Sequence, residues 1–118
     1  MTKHFAKWAQ KQNIPNSELL NALNEVENSI YEADLGGNII KKRIRFQGRG
    51  KSGSGRTIIC YNFSDRAFFI HGFAKNEKSN LSSKELRAFK ELAKVLFSIS
   101  NEKLEIAIKN GNFIEVKP

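Results

Sequence analysis

Residues 39–74 read IIKKRIRFQGRGKSGSGRTIICYNFSDRAFFIHGFA, and this stretch decides the fold. Three runs within it are rich in β-branched and aromatic residues: Ile39 to Phe46, Arg56 to Phe63 and Ala67 to Ala74. Such runs, separated by Gly, Ser, Asn and Asp, predict three strands. The turn around Asp65-Arg66 is short, so the second and third strands are expected to form an antiparallel hairpin. The Gly-rich stretch joins the first two in the same manner, with a longer loop. In the first strand Ile40, Ile44 and Phe46 share one face, and Lys41, Arg43 and Arg45 share the other. A side-chain period of two thus predicts a sheet with one core side and one basic side.

Register constrains the basic side further. With an even loop, such as Asp65-Arg66 alone, Arg56 faces Lys75, Ile58 faces Phe73 and Cys60 faces His71. An odd loop would turn Lys75 to the opposite side from Arg56. The even register gathers Arg56 and Lys75, with Arg45 near them, into one positive site at the open end of the hairpin. Adjacent cations without a local anion are costly, and a phosphate that satisfies both is a natural occupant.

The charge pattern points the same way. Between Lys41 and Arg56 lie seven basic side chains and no acidic one: Lys41, Lys42, Arg43, Arg45, Arg49, Lys51 and Arg56. Like charges side by side repel, so an exposed strand normally mixes both signs. Four glycines among the cations of GRGKSGSG would let backbone N–H groups as well as side chains approach phosphates. The net charge of +8 suits DNA, RNA or an acidic protein as partner.

Outward from the sheet, the first 31 residues read as two helices. Phe5, Trp8 and Ala9 lie on one face of the first, which is expected to stop before Ile14-Pro15. Leu19, Leu20, Leu23, Val26 and Ile30 recur at helical spacing in the second. Gly36-Gly37 then breaks the chain. C-terminal to the strands, Ser82 with Glu85 makes a capping box and Leu81 with Leu86 a hydrophobic staple, opening a helix that carries Phe89, Leu92, Ala93, Leu96 and Phe97. A weaker helix spans Asn101 to Lys109, and Phe113, Ile114 and Val116 suit a short strand or an extended tail. The fold class is therefore α+β: a small antiparallel sheet packed with two N-terminal helices and a C-terminal helix, in a single domain over residues 1–118. A chain of this length buries roughly two thirds of its unfolded surface.

Several classes are disfavoured. No apolar stretch approaches a bilayer-spanning length, MTKHFAKWAQ lacks the apolar run of a secretory signal, and a membrane partner is not expected. One cysteine, Cys60, cannot make an internal disulfide, which suits a reducing cytoplasm. One cysteine and two histidines far apart in sequence give no metal-ligand cluster. Candidate chemistry rests instead on Glu77, the acid nearest Arg56 and Lys75, either as a general base for a ribose hydroxyl or as an ion-pair partner of Lys75 or Lys78. His71 suits a structural hydrogen bond or an acid–base role, and Phe73 suits base stacking or core packing.

At these residues the chain resembles a known family. The stretches GRGKSGSGRTII and FFIHGFAKNEKSNLSSKEL, in a helix–helix–three strands–helix order, look like the RelE/HigB superfamily of type II toxins, over Phe5 to about Phe113. The resemblance implies a RelE-like microbial RNase fold. It also implies a small bacterial, cytoplasmic mRNA interferase: a ribosome-dependent endoribonuclease held inactive by a cognate antitoxin, often one with a helix-turn-helix. Members use no metal or other cofactor, and the ribose 2′-hydroxyl attacks the adjacent phosphate. By position, Arg56 corresponds to the arginine that holds the scissile phosphate, and Lys75 and Glu77 fall among its polar active-site residues. Lys42, Arg43, Arg45, Arg49 and Lys51 fall in the segment expected to contact mRNA or ribosomal RNA, with Phe73 beside it. The chain departs from several relatives in having no histidine or tyrosine after His71. A non-catalytic RNA- or DNA-binding module using the same surface is the alternative. A protein-interaction domain with an acidic partner would explain the charge but not the glycines.

Overall fold

A computed structural model of the chain describes residues 1–46, 54–62, 66–75 and 80–118. The helices are α1 (Lys3–Lys11), α2 (Asn16–Glu27), α3 (Ser83–Ser98) and α4 (Asn101–Lys109). The strands are β1 (Ala33–Gly36), β2 (Ile39–Arg45), β3 (Ser54–Tyr61) and β4 (Ala67–Ala74). They form one antiparallel sheet in the order β1-β2-β3-β4. The α+β class stands: the four expected helices are present, and four strands are described rather than three. The added strand is β1, a short hairpin partner of β2. Its turn is made where Gly36, Gly37 and Asn38 all take positive φ, a conformation open to glycine and tolerated by asparagine.

Local sequence sets the helix ends. Thr2 caps α1, its Oγ1 accepting from the Phe5 N–H at 3.1 Å. The chain turns at Asn13, in the left-handed region, and α2 starts after Pro15. Ser82 Oγ accepts from the Glu85 N–H and a Glu85 carboxylate oxygen accepts from the Ser82 N–H, completing the expected capping box. At the other end of α3, Arg66 donates to the Leu96 and Ile99 carbonyls and to Asn101 Oδ1. A cation there satisfies carbonyls that the helix leaves unpaired and opposes the negative end of its dipole.

The expectation of one core side and one basic side is corrected: both faces of the sheet carry core. On one face Phe5, Ala9, Leu19, Ala22 and Val26 of α1 and α2 pack on Ile40, Ile44, Phe46, Ile59, Phe69 and Ala74. On the other, Ala93 and Leu96 of α3 pack on Ile39, Ile58, Cys60, Phe68, Ile70 and Phe73. The physical reason lies in Thr57-Ile58-Ile59-Cys60 and Phe68-Phe69-Ile70. Continuous apolar runs of this kind belong to strands covered on both faces, whereas only β2 alternates cleanly. The closest approach is at Gly72, where an added Cβ would stand 2.3 Å from Trp8 Cε3, so α1 can lie against β4 only because position 72 has no side chain.

Register differs from the even-loop expectation. Arg56 pairs with Phe73, Ile58 with His71 and Cys60 with Phe68. The ladder shifts between Ile58 and Ile59, where β4 carries Ile70 as an extra residue. A bulge of this type puts two residues opposite one and re-aims the strand. Relative to Lys75 the displacement at Arg56 is two residues, a whole side-chain period. Lys75, the first residue after β4, is exposed, and its N–H donates to the Ser54 carbonyl at 3.3 Å.

Candidate nucleic-acid interface

The α3-side face of the sheet changes character along its length. Under α3 it is apolar. Toward the end of β2 and the start of β3 it becomes basic, where Arg43 stands directly opposite Arg56 and Arg45 opposite Ser54. Arg43 and Arg45 are exposed and Lys41 is partly covered. Together with Lys75 at the end of β4, four strand-end cations and Lys41 therefore converge on one end of the sheet. Like charges in directly opposed cross-strand positions repel, so Arg43 and Arg56 need an anion between or beside them.

The structure supplies one that the sequence reading did not single out. Glu32, just before β1, accepts a hydrogen bond from Arg56 Nε at 2.7 Å and lies 3.5 Å from Lys41 Nζ. Arg56 is 6% exposed, and its Nη1 also donates to the Gly55 carbonyl at 3.2 Å. Lys41 Nζ donates in turn to Asn80 Oδ1 at 3.3 Å, and that oxygen also accepts from the Leu81 N–H. Burial pushes the Glu32 carboxyl up. The hydrogen bond and charge of Arg56 and the charge of Lys41 outweigh this and hold it below the usual carboxylate range. A signal for Glu32 exists in the sequence: it precedes the positive-φ turn, and folding that turn back sets residue 32 beside Lys41.

The sequence-derived site residues divide into three groups. Arg43, Arg45, Arg56 and Lys75 come to the same end of the sheet. Lys42 and Phe73 do not join them as exposed groups. Lys42 points to the opposite face, is 6% exposed, and its Nζ lies 3.2 Å from Glu25 Oε1 of α2. It borders a groove of about 520 Å³ between α2 and β2, together with Glu18 and Glu25. Phe73 is also 6% exposed and belongs to the core under α3. Arg49, Lys51 and Glu77, residues 48–53 of the Gly-rich stretch and residue 65 of the Asp65-Arg66 turn lie outside the described residues.

The two histidines, far apart in sequence, meet in space. His4 Nε2 lies 3.3 Å from His71 Nδ1, with the rings parallel within 2° and their centroids 5.5 Å apart. That separation is close to the N···N distance plus two ring radii, so the rings are near coplanar and meet edge to edge rather than face to face. The pair ties α1 to β4 around the outer strand, in keeping with a structural hydrogen bond for His71. Among the described residues no group of three or more His, Cys, Asp or Glu is placed to hold a metal ion. Cys60 is buried in the α3-side core, and burial pushes its thiol up to about 12. No helix is long and apolar enough to cross a membrane among the described residues.

Comparison with the curated proteins and with the solved structures finds no match. The family model described as the RelE toxin of the RelE / RelB toxin-antitoxin system matches residues 1–116, nearly the whole chain. The chain therefore belongs to the RelE toxin family.

Proposed function

We propose that this toxin is a ribosome-dependent, metal-free mRNA endonuclease, acting in the bacterial cytoplasm and restrained by a cognate antitoxin, one with a helix-turn-helix. The observation that carries this reading is the convergence of Arg43, Arg45, Arg56 and Lys75 on one end of the sheet, around Glu32 as the anion described there. In the proposed reaction the ribose 2′-oxygen attacks the adjacent phosphorus and its proton passes to a carboxylate, for which Glu77 is the candidate. The bond to the 5′-oxygen breaks and that oxygen takes up a proton, leaving a 2′,3′-cyclic phosphate and a 5′-hydroxyl. Arg56 and Lys75 would stabilise the dianionic phosphorane, as fixed cations do best where charge develops. Arg43, Arg45, Arg49 and Lys51 would contact mRNA or ribosomal RNA, and the covered Lys42 and Phe73 would support that surface from beneath.

The test is incubation of the purified protein with translating ribosomes, followed by analysis of the ends of any cut mRNA. Cyclic phosphate and 5′-hydroxyl ends are expected. Intact mRNA, or 3′-hydroxyl and 5′-phosphate ends, would refute the proposal. One observation favours the alternative, a non-catalytic RNA- or DNA-binding module. Arg56 is covered and already paired with Glu32, whereas Arg43 and Arg45 stand exposed. That alternative predicts salt-sensitive RNA binding with no cut.

A further inference from the structure

We propose that Glu32 is a positioning residue for Arg56, fixing the plane of its guanidinium so that Nη2 faces the phosphate. The inference rests on the endonuclease reading above and adds to it a residue outside the basic segment. Arg56 Nε is held at 2.7 Å by Glu32, and Nη1 by the Gly55 carbonyl at 3.2 Å. Those two bonds act on different nitrogens and leave the guanidinium little rotational freedom. Among the described residues Nη2 has no hydrogen-bond partner, so it is the donor left for an anion.

Glu32 also answers an electrostatic problem. Arg43 lies across the ladder from Arg56, and Lys41 Nζ lies 3.5 Å from the same carboxylate oxygen that Arg56 holds. Without a resident anion these cations would splay apart before substrate arrived, and ordering them would draw on binding energy. Glu32 offsets their repulsion in advance. Its carboxylate stays ionised at neutral pH, because the two cations hold it below the ordinary range. Lys41 carries the connection on to Asn80 at the lead-in to α3, so the cluster is fixed to three strands and a helix start. Orientation is expensive to lose: a misplacement of about 1 Å in a reacting group costs up to about 100-fold in rate.

The test compares Glu32→Ala and Glu32→Gln with wild type in cleavage on programmed ribosomes, separating kcat from KM, and follows the Arg56 Nε–H by nitrogen-15 NMR. Glu32→Ala should lower kcat about 10-fold to 100-fold with KM nearly unchanged, and the Arg56 Nε–H should exchange faster with water. Glu32→Gln keeps an acceptor of the same reach and should recover most of kcat. Losing the ion pair lowers the melting temperature on either reading, but a purely structural role would leave kcat intact below it. Unchanged kcat in Glu32→Ala, or a loss confined to KM, overturns the inference. Absence of cleavage by the wild-type protein overturns the endonuclease reading instead. In that event the Nε–H comparison still decides whether Glu32 fixes Arg56: faster exchange in Glu32→Ala supports it, and unchanged exchange overturns it.

Discussion

Arg56→Ala separates a catalytic from a supporting role because the structure predicts different sizes for the two losses. The substitution removes a charge-assisted hydrogen bond to Glu32, worth about 1.5–3 kcal/mol, and a second bond to the Gly55 carbonyl, worth about 1 kcal/mol. Against this, removing one of two directly opposed arginines relieves repulsion with Arg43 by up to about 1 kcal/mol. The net loss of stability is about 1.5–4 kcal/mol. At about 4 °C per kcal/mol for a domain of this size, the melting temperature should fall by roughly 10 °C. If Arg56 also clamps the scissile phosphate, cleavage should fall on the order of 10²–10³-fold at a temperature where the variant is fully folded. Arg56→Lys should rescue only part of this, since an ammonium cannot offer the planar pair of donors that a guanidinium gives. The assay is cleavage on translating ribosomes at 20 °C beside a thermal melt of each variant. Full cleavage by Arg56→Ala would refute the clamp, whatever the melt shows.

Three further outcomes follow from the structure. Gly72→Ala should destabilise by about 1–3 kcal/mol or more, because its Cβ would meet the Trp8 ring at 2.3 Å. Urea unfolding followed by Trp8, the single tryptophan, checks this, and pairing it with Trp8→Leu should give much less than the sum of the two separate losses. Cys60 should resist alkylation in the native protein at pH 8 and react rapidly in denaturant, since its thiol is buried and raised to about 12; rapid native labelling would contradict its place in the core. Glu32 has a folded pKa below its unfolded value, so its contribution is present above about pH 4.3 and is lost as pH falls through the folded value. The gap in melting temperature between wild type and Glu32→Gln should therefore be present at pH 7 and close below about pH 4, and a gap that stays constant to pH 3 would contradict the pairing.

What could be read from the sequence was whatever rests on local rules. The capping box at Ser82 and Glu85, the span of Ala67–Ala74 and the span of Asn101–Lys109 all follow from short-range chemistry. The α+β class and the convergence of Arg43, Arg45 and Arg56 follow from period-two alternation in β2. Register could not be read, because the Ile70 bulge is a tertiary choice: an isoleucine in an apolar run gives no sign that it will be the unpaired residue. The second core face was masked by the cleaner alternation of β2, although Thr57 to Cys60 and Phe68 to Ile70 carried the opposite signal. Glu32 was passed over because β1 is only four residues long and its sequence, ADLG, is poor in strand formers. The strand exists through its hairpin with β2. Lys42 looked like its neighbours Lys41 and Arg43 in composition, and only the burial of its face under α2 distinguishes it.

The strand order repeats the chain order, and this has a kinetic consequence. Every strand pairs with its sequence neighbour, so the sheet is assembled from local hairpins that close short loops at small entropic cost. The arrangement of α1 on β4 is different in kind. Thr2 bonds to the Phe69 carbonyl and Trp8 covers Gly72, contacts that span more than sixty residues. On a nascent chain α1 is made first, yet its contacts with β4 cannot form until that strand has emerged. The Glu32–Lys41–Arg56 cluster needs only residues 32–56 and forms with the meander itself. Order of synthesis and order of assembly thus run in opposite directions, and the slowest native contact should be closure of the N-terminal helix on the last strand.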